Sequence, residues 1–201
     1  MTVVAVLLAG GESTRMGRPK PLLEWGTGTL IEYQLAQLGR PPLDRVVVVL
    51  GHRADEVRPL VHRAGAQAII NELYREGRAS SVRVAAAALP EDTEAVVVLS
   101  VDQPRPHQVI ERLVREHIVG WNLITAPTWE GQRGHPVVLS GSLIAELREV
   151  REATEGLRDV LRHHEAEVRE VPFESAVVLL DINRPEEYES ARASYFEQVT
   201  P

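Results

Sequence analysis

The sequence predicts an α/β fold: one three-layer domain, spanning residues 1–201, whose mainly parallel sheet carries helices on both faces. Two continuous β-branched runs, VVVVL ending at Leu50 and AVVVL ending at Leu99, read as strands covered on both sides, the pattern of a parallel sheet. Apolar runs alternate along the chain with segments of helical period, as they do when helices cross over between parallel strands. A length of 201 residues, with 44% hydrophobic and 25% charged, is enough for one well-packed core.

Taken in order, the strand-like runs are Val3 to Leu8, Arg45 to Leu50, Ala68 to Ile70, Ala95 to Ser100, Leu123 to Ala126, Val137 to Leu139 and Val177 to Leu180. Helical period appears over Leu30 to Leu38, Ala54 to Arg63, Ser81 to Leu89 and Gln108 to Glu116, and then over Leu143 to Glu149, Leu157 to His164 and Pro185 to Phe196. Pro41 and Pro42 read as a turn rather than a linker, and there is no internal repeat or low-complexity tract. The apolar start, MTVVAVLLAGGE, lacks a basic leader and is too short for a membrane span, so it reads as a strand.

Composition excludes several classes. A formal net charge of -7 argues against a general nucleic-acid binder, which needs a cationic surface to displace phosphate counterions. The absence of cysteine removes disulfides, a thiolate nucleophile, thiolate zinc sites and iron–sulfur clusters, and it fits a reducing cytoplasm.

The most informative segment is LAGGESTRMGRPK, Leu8 to Lys20, directly after the first strand. Gly10 and Gly11 allow positive φ and close backbone approach, so successive N–H groups can turn toward an anion, while Arg15, Arg18 and Lys20 bring positive charge into one loop. A glycine pair alone is an ordinary turn. The segment is neither a P-loop nor a G-x-G-x-x-G turn. In a parallel sheet, ligands bind outside the carboxyl ends of the strands, and Asp102 stands at such an end, within VDQP. A carboxylate there suits Mg²⁺, which takes one or two carboxylates plus substrate phosphates. Capping of a helix beginning near Pro106 is the alternative role for Asp102.

Three later segments complete the set. In NELYREGRASSV, Asn71 to Val82, Gly77, Ser80 and Ser81 precede a helix-forming stretch, as N-caps or as ligand contacts at a helix N-terminus. In GQRGHPVVLSGSLIAEL, from Gly131, His135 reads alone as a turn residue, and no second histidine stands at metal-ligand spacing. In DINRPEEY, Asp181 and Asn183 follow the last apolar run, with Asn183 or Arg184 preceding a helix that starts at Pro185.

The series Gly10, Gly11, Ser13, Arg15, Met16, Gly17, Lys20 resembles the signature loop of the molybdopterin cytidylyl- and guanylyltransferases, and more distantly that of the sugar-phosphate and methylerythritol-phosphate nucleotidyltransferases. VDQP resembles the family's metal-carrying aspartate motif. Asn71 to Ser81 resembles its Asn-x-x-Trp-x-x-Gly-x-x-x-Ser stretch, with Tyr74 in place of tryptophan, and Gly131 to Pro136 resembles the Gly-Arg-Arg-Gly-His-Pro stretch of the cytidylyl branch. DINRPEEY resembles the family's Asp-x-x-Thr-Pro-Glu-Asp ending. The resemblance implies a Rossmann-like nucleotidyltransferase sheet and transfer of CMP or GMP from CTP or GTP to the terminal phosphate of a molybdopterin-type acceptor, with release of pyrophosphate.

It assigns the nucleotide to Leu8, Ala9, Gly10, Gly11, Gly77, Ser80 and Ser81, and charge neutralisation to Arg15 and Lys20. Mg²⁺ falls to Asp102 and Asp181, with Asn183 the second choice, and the acceptor to Arg133, Gly134 and His135. The first loop reads Leu-Ala-Gly-Gly, as in the guanylyl branch, while the segments at Asn71 and Gly131 point to CTP. Other readings are a transferase acting on a sugar or polyol phosphate, a nucleotide-sugar-dependent glycosyltransferase, which would also use a metal aspartate, and a non-catalytic cofactor carrier, which needs neither Asp102 nor Lys20. A molybdoenzyme or its maturation chaperone is the macromolecular partner so implied, with neither nucleic acid nor membrane.

Overall fold

A computed structural model describes residues 1–199. Its sheet is built from β1 (Thr2–Ala9), β4 (Arg45–Leu50), β5 (Gln67–Ile70), β6 (Thr93–Ser100), β7 (Ile124–Trp129), β9 (Val137–Ser140) and β10 (Val168–Pro172), in spatial order β10-β7-β9-β6-β1-β4-β5. The short β8 (Gln132–Arg133) pairs with β7. The strands β6, β1, β4 and β5 run parallel, and β9 is inserted antiparallel between β6 and β7. A two-stranded hairpin, β2 (Glu24–Trp25) and β3 (Gly28–Thr29), lies apart from the sheet.

The side-chain alternation of a strand divides the core into two. Val3, Ala5 and Leu7 of β1 face a layer made by α1 (Leu30–Leu38), α2 (Ala54–Arg63), α4 (His107–Gly120) and α7 (Pro185–Val199). Val4, Val6 and Leu8 face α3 (Arg78–Ala88), α5 (Ile144–Leu147) and α6 (Leu157–His163). The three-layer architecture is therefore present, with β1 at its centre. Register pairs Leu8 with Ser100 on one side and Ala9 with Leu50 on the other, which aligns the carboxyl ends of the three inner strands.

Helix boundaries show what local chemistry selects. Helix α1 begins at a capping box in which Glu32 N donates to Thr29 Oγ1 and Thr29 N donates to Glu32 Oε2. Helix α3 starts at Arg78, three residues before the expected start, so Ser80 and Ser81 lie inside it and neither is its N-cap. Its Ala79 N–H, free of any partner within the helix, donates instead to Glu152 Oε2 at 2.8 Å, a cap supplied from a distant loop. Asp102 is not a cap either, because α4 starts at His107 with Pro106 at the N-cap.

One expected strand is corrected. Val177 to Leu180 belongs to a 3₁₀ turn, Ala176–Leu179, opened by Ser175 Oγ accepting from Val177 N at 3.2 Å, and Val177 and Val178 are buried as a plug in the core. The edge strand is β10, VREVP, whose partial alternation of charged and apolar residues suits a strand half covered at the sheet margin. The hairpin β2–β3 was also not legible as a strand pair. It is held by burial of Trp25 against Tyr33, Tyr188, Tyr195 and Phe196. No helix among the described residues is long and apolar enough to cross a membrane.

His117, at the end of α4, is 3% exposed and holds Thr125 Oγ1 at 3.0 Å through Nδ1. Burial pushes its pKa down from 6.5 to about 4. The unfolded chain therefore binds a proton near pH 6.5 that the folded chain refuses until about pH 4, so stability declines as pH falls through that window. We expect urea-unfolding free energy to drop between pH 6.5 and 4.5 and His117→Gln to reduce that drop, leaving the share of His135, whose pKa burial also lowers to about 4; equal slopes for the two proteins would contradict the assignment.

Candidate active site

The carboxyl ends of β1 and β6 open into a cavity of about 290 Å³. The loop after β1 forms its floor, and the geometry there differs in detail from expectation. Neither Gly10 nor Gly11 has positive φ; the left-handed residues of this loop are Ser13 and Gly17, which bracket a 3₁₀ turn, Thr14–Met16. Gly10 is needed for close approach instead: its carbonyl accepts from His52 N at 3.1 Å, and a Cβ on it would lie 3.1 Å from Gly51 N. A Cβ on Gly11 would meet nothing within 4 Å, so this position opens onto the cavity. The loop is pinned by buried Met16 and by Arg18 over the Tyr188 ring. Ser13 Oγ accepts from Lys20 N at 3.2 Å.

Leu8, Ala9, Gly10, Gly11, Arg15, Lys20, Gly77, Ser81 and Asp102 all border this one cavity. Ser80 does not: its hydroxyl bonds Leu73 O and Gly77 O, while Asn71 Nδ2 donates to both Ser80 and Ser81. Asn71 and Ser80 are thus scaffold for the turn that presents Gly77 and Ser81. Tyr74 lines the cavity at the position of the family's tryptophan.

Lys20 Nζ donates to Asp102 Oδ2 at 2.7 Å and to Asn183 Oδ1 at 2.9 Å, which joins the first loop, the β6 end and the chain before α7. Asp102 is 6% exposed, and its Oδ1 is buried with no hydrogen-bond partner. An orphaned carboxylate oxygen beside a satisfied one is the donor set expected for a divalent cation. Among the described residues no group of three or more His, Cys, Asp or Glu side chains gathers to hold a metal. A cation here would take its remaining ligands from phosphates and water, as Mg²⁺ commonly does.

A second cavity, of about 440 Å³, adjoins the first and shares Leu8, Arg78 and Ser100 with it. Asp181, His135, Gln103 and Arg158 line this second cavity. The backbone between the two is fixed by Ile182 N donating to Asp102 O at 2.9 Å, which sends Asp181 to the second cavity and Asn183 to the first. Asp181 is open at the mouth. Desolvation of its carboxyl group against the cavity wall first, and then the charge of Asp102, hold its pKa above the ordinary aspartate value. His135 is held down at about 4 by burial and then by the charges of Arg105 and Arg78, so it is neutral at pH 7.

Two of the residues expected at the acceptor are elsewhere. Arg133 forms ion pairs with Glu165 at 2.7 Å and Glu170 at 2.6 Å and lines neither cavity, because β8 directs it toward the 165–170 segment. Gly134 serves packing: a Cβ on it would lie 2.1 Å from Val178 O.

The residue that sequence reasoning missed is Arg105. It has no exposed surface and no acidic partner, and it donates to Pro104 O at 2.8 Å, His135 O at 2.8 Å, Val178 O at 2.8 Å and Leu180 O at 3.0 Å. Burial lowers its pKa to about 10, which leaves it charged at neutral pH. Between two prolines it reads as a turn residue, and only its long side chain inside a three-segment junction shows otherwise. Arg78, Ser100 and Gln103 were also passed over, each lying beside a motif residue.

The fold and paired cavities define a nucleotidyltransferase-type domain. The MobA-like NTP transferase domain matches residues 5–168, and the chain belongs to that family. The molybdenum cofactor cytidylyltransferase of Escherichia coli (strain K12) is 26% identical over 199 residues, covering 96% of each chain. The crystal structure of Rv0371c from Mycobacterium tuberculosis H37Rv superposes with a TM-score of 0.84 at 25% identity, over 96% of this chain and 99% of that one. Its complex with manganese gives a TM-score of 0.79 at 25% identity, with the same coverage.

Arg105→Met removes the donors of four buried carbonyls while keeping much of the volume. We expect a loss of about 3–5 kcal/mol in urea unfolding, as when one partner of a buried charged network is deleted, and incomplete recovery in Arg105→Lys, whose ammonium lacks the fork. A loss under about 1 kcal/mol would show that water replaces the guanidinium.

Proposed function

We propose that this nucleotidyltransferase transfers CMP or GMP from the nucleoside triphosphate to the terminal phosphate of molybdopterin or its molybdenum cofactor. Asp102 carries this reading: one oxygen is held by Lys20 and the other is buried and unpartnered, at the wall of a cavity floored by the first loop. An oxygen of the acceptor phosphate attacks the α-phosphorus, forming a new P–O bond. The bond to the bridging oxygen of the β-phosphate breaks, and its electron pair leaves with pyrophosphate.

No covalent enzyme intermediate is required, only in-line placement and neutralisation of phosphoryl charge. The backbone of Leu8 to Gly11, with Gly77 and Ser81, would bind the nucleotide, and Arg15 and Lys20 would lie against the departing pyrophosphate. Asp102, with Asp181, would hold a divalent cation, Mg²⁺ in our reading, which supplies Lewis-acid neutralisation of the phosphate oxygens. The manganese complex of Rv0371c supports a divalent ion in this family. His135, neutral and lining the second cavity, would bound the acceptor. The E. coli relative supports molybdopterin as the acceptor.

Purified protein with Mg²⁺, molybdopterin and either CTP or GTP should release pyrophosphate and yield the dinucleotide form; absence of product with both triphosphates would overturn the acceptor. Asp102→Asn should abolish turnover with the melting temperature little changed, and near-wild-type activity would remove the metal role. Lys20→Ala should lower kcat by about 10²–10³, the cost typical of one charge-stabilising donor; an unchanged rate would make Lys20 structural.

Base choice gives a separate test. Position 11 opens onto the cavity, so Gly11→Ala adds a methyl group in the nucleotide's space rather than in the core. We expect CTP to be used best and GTP measurably. The variant should lose GTP use by about 1–3 kcal/mol, the cost of overpacking a tight site, and spare CTP. Identical selectivity of the two proteins in a competition assay would show that the first loop does not read the base.

A further inference from the structure

We propose that Arg78 is the phosphate-binding cation of the second cavity, and that this cavity takes a phosphomonoester with a flat or branched apolar body and one polar edge. The inference rests on reading the second cavity as the acceptor's. A transfer in line requires the acceptor phosphate to approach the triphosphate where the two cavities meet. Leu8, Arg78 and Ser100 are the residues common to both, and Arg78 alone among them carries charge.

Arg78 is exposed at the start of α3 and makes no ion pair or hydrogen bond among the described residues, yet its charge reaches both His135 and Asp181 across the cavity. The carboxylates nearby are differently placed. Glu152 caps Ala79 N, Glu155 pairs with Arg162 at 2.9 Å, and Asp181 lies across the cavity beside Gln103. The cation is free while two of the three acids are engaged.

The body of the ligand follows from the walls. Val82, Val98, Leu157 and Leu161 present apolar surface that leaves the hydroxyls of a polyol unpaired, at a cost for each. One polar edge is supplied by Gln103, which is 1% exposed. Its Oε1 accepts from Ser100 N at 3.0 Å, and its Nε2 lies beside Asp181 in the same wall, so Gln103 and Asp181 together form the polar edge. The volume, about 440 Å³, lies within the range of small-molecule sites.

Phenyl phosphate is the probe, titrated by calorimetry into the full chain with Mg²⁺ and with α,β-methylene CTP present to fill the first cavity. Wild type should bind it at millimolar concentration. Arg78→Met should weaken binding by about 10–100-fold, the loss expected for a charge-assisted contact, and Arg78→Lys should retain most of it. Phenol should not distinguish the proteins, and glycerol 1-phosphate should bind at least about tenfold more weakly than phenyl phosphate. Three results would overturn the site: no binding to wild type, equal binding to Arg78→Met, or displacement of phenyl phosphate by the methylene analogue. Glycerol 1-phosphate binding as tightly as phenyl phosphate would overturn the body class. If molybdopterin accepts no nucleotide while the Arg78 effect stands, only the acceptor's identity fails.

Discussion

A guanidinium with no exposed surface holds the site together. Arg105 joins the turn after β6, the loop before β9 and the turn before α7 by giving its protons to four carbonyls. An isolated buried charge is costly unless hydrogen-bonded, and a fork of donors in one plane meets several oxygens at once, which an ammonium cannot. The same turn is braced from α1, where the fully buried Gln34 donates to Gln103 O at 2.7 Å. With the three segments so tied, Asp102, His135 and Asp181 are set by the scaffold rather than by loop flexibility. The charge acts too, since it adds to burial in holding His135 neutral and moderates the crowding of the two aspartates.

That crowding defines the chemistry available. Asp102 and Asp181 are near enough that one raises the pKa of the other, and Lys20 offsets only one oxygen of Asp102. A pair of carboxylates under mutual repulsion, next to an unpartnered oxygen, favours a cation over a proton once phosphates complete the shell. Asn183, neutral, sits on the first cavity's side of Ile182 and Asp181 on the second's, so the negative charge is graded from the first cavity toward the second.

What the sequence made legible was whatever repeats a local rule. Continuous apolar, β-branched-rich runs marked the three inner parallel strands β6, β1 and β4, and the glycine pair followed by Arg15 and Lys20 marked the cavity floor. The failures are tertiary. Val177 to Leu180 has strand composition, but burial of a 3₁₀ turn beneath Arg105 uses the same valines. Ser80 and Ser81 have capping chemistry, but Glu152 arrives from a distant segment to take the helix end, freeing the helix to start at Arg78. Arg133 sits in a motif, yet the edge strand β10 supplies Glu170 beside it and the adjoining turn supplies Glu165, an arrangement no local pattern encodes.

The formal net charge of -7 belongs to a chain whose two cavities are bordered by arginines, and the pairing pattern reconciles the two. Away from the cavities, Arg53 pairs with Glu56, Arg133 with Glu165 and Glu170, Arg162 with Glu155 and Asp159, and Arg192 with Glu24. Each such exposed pair adds little stability, but it cancels a peripheral positive charge. Arg15, Arg78 and Arg158 at the two cavities have no such partner among the described residues. Three cations without an acidic partner thus border the two cavities of a chain that is acidic as a whole. Net charge states how the whole surface behaves toward a long polyanion; the distribution of unpaired cations states where a short one binds.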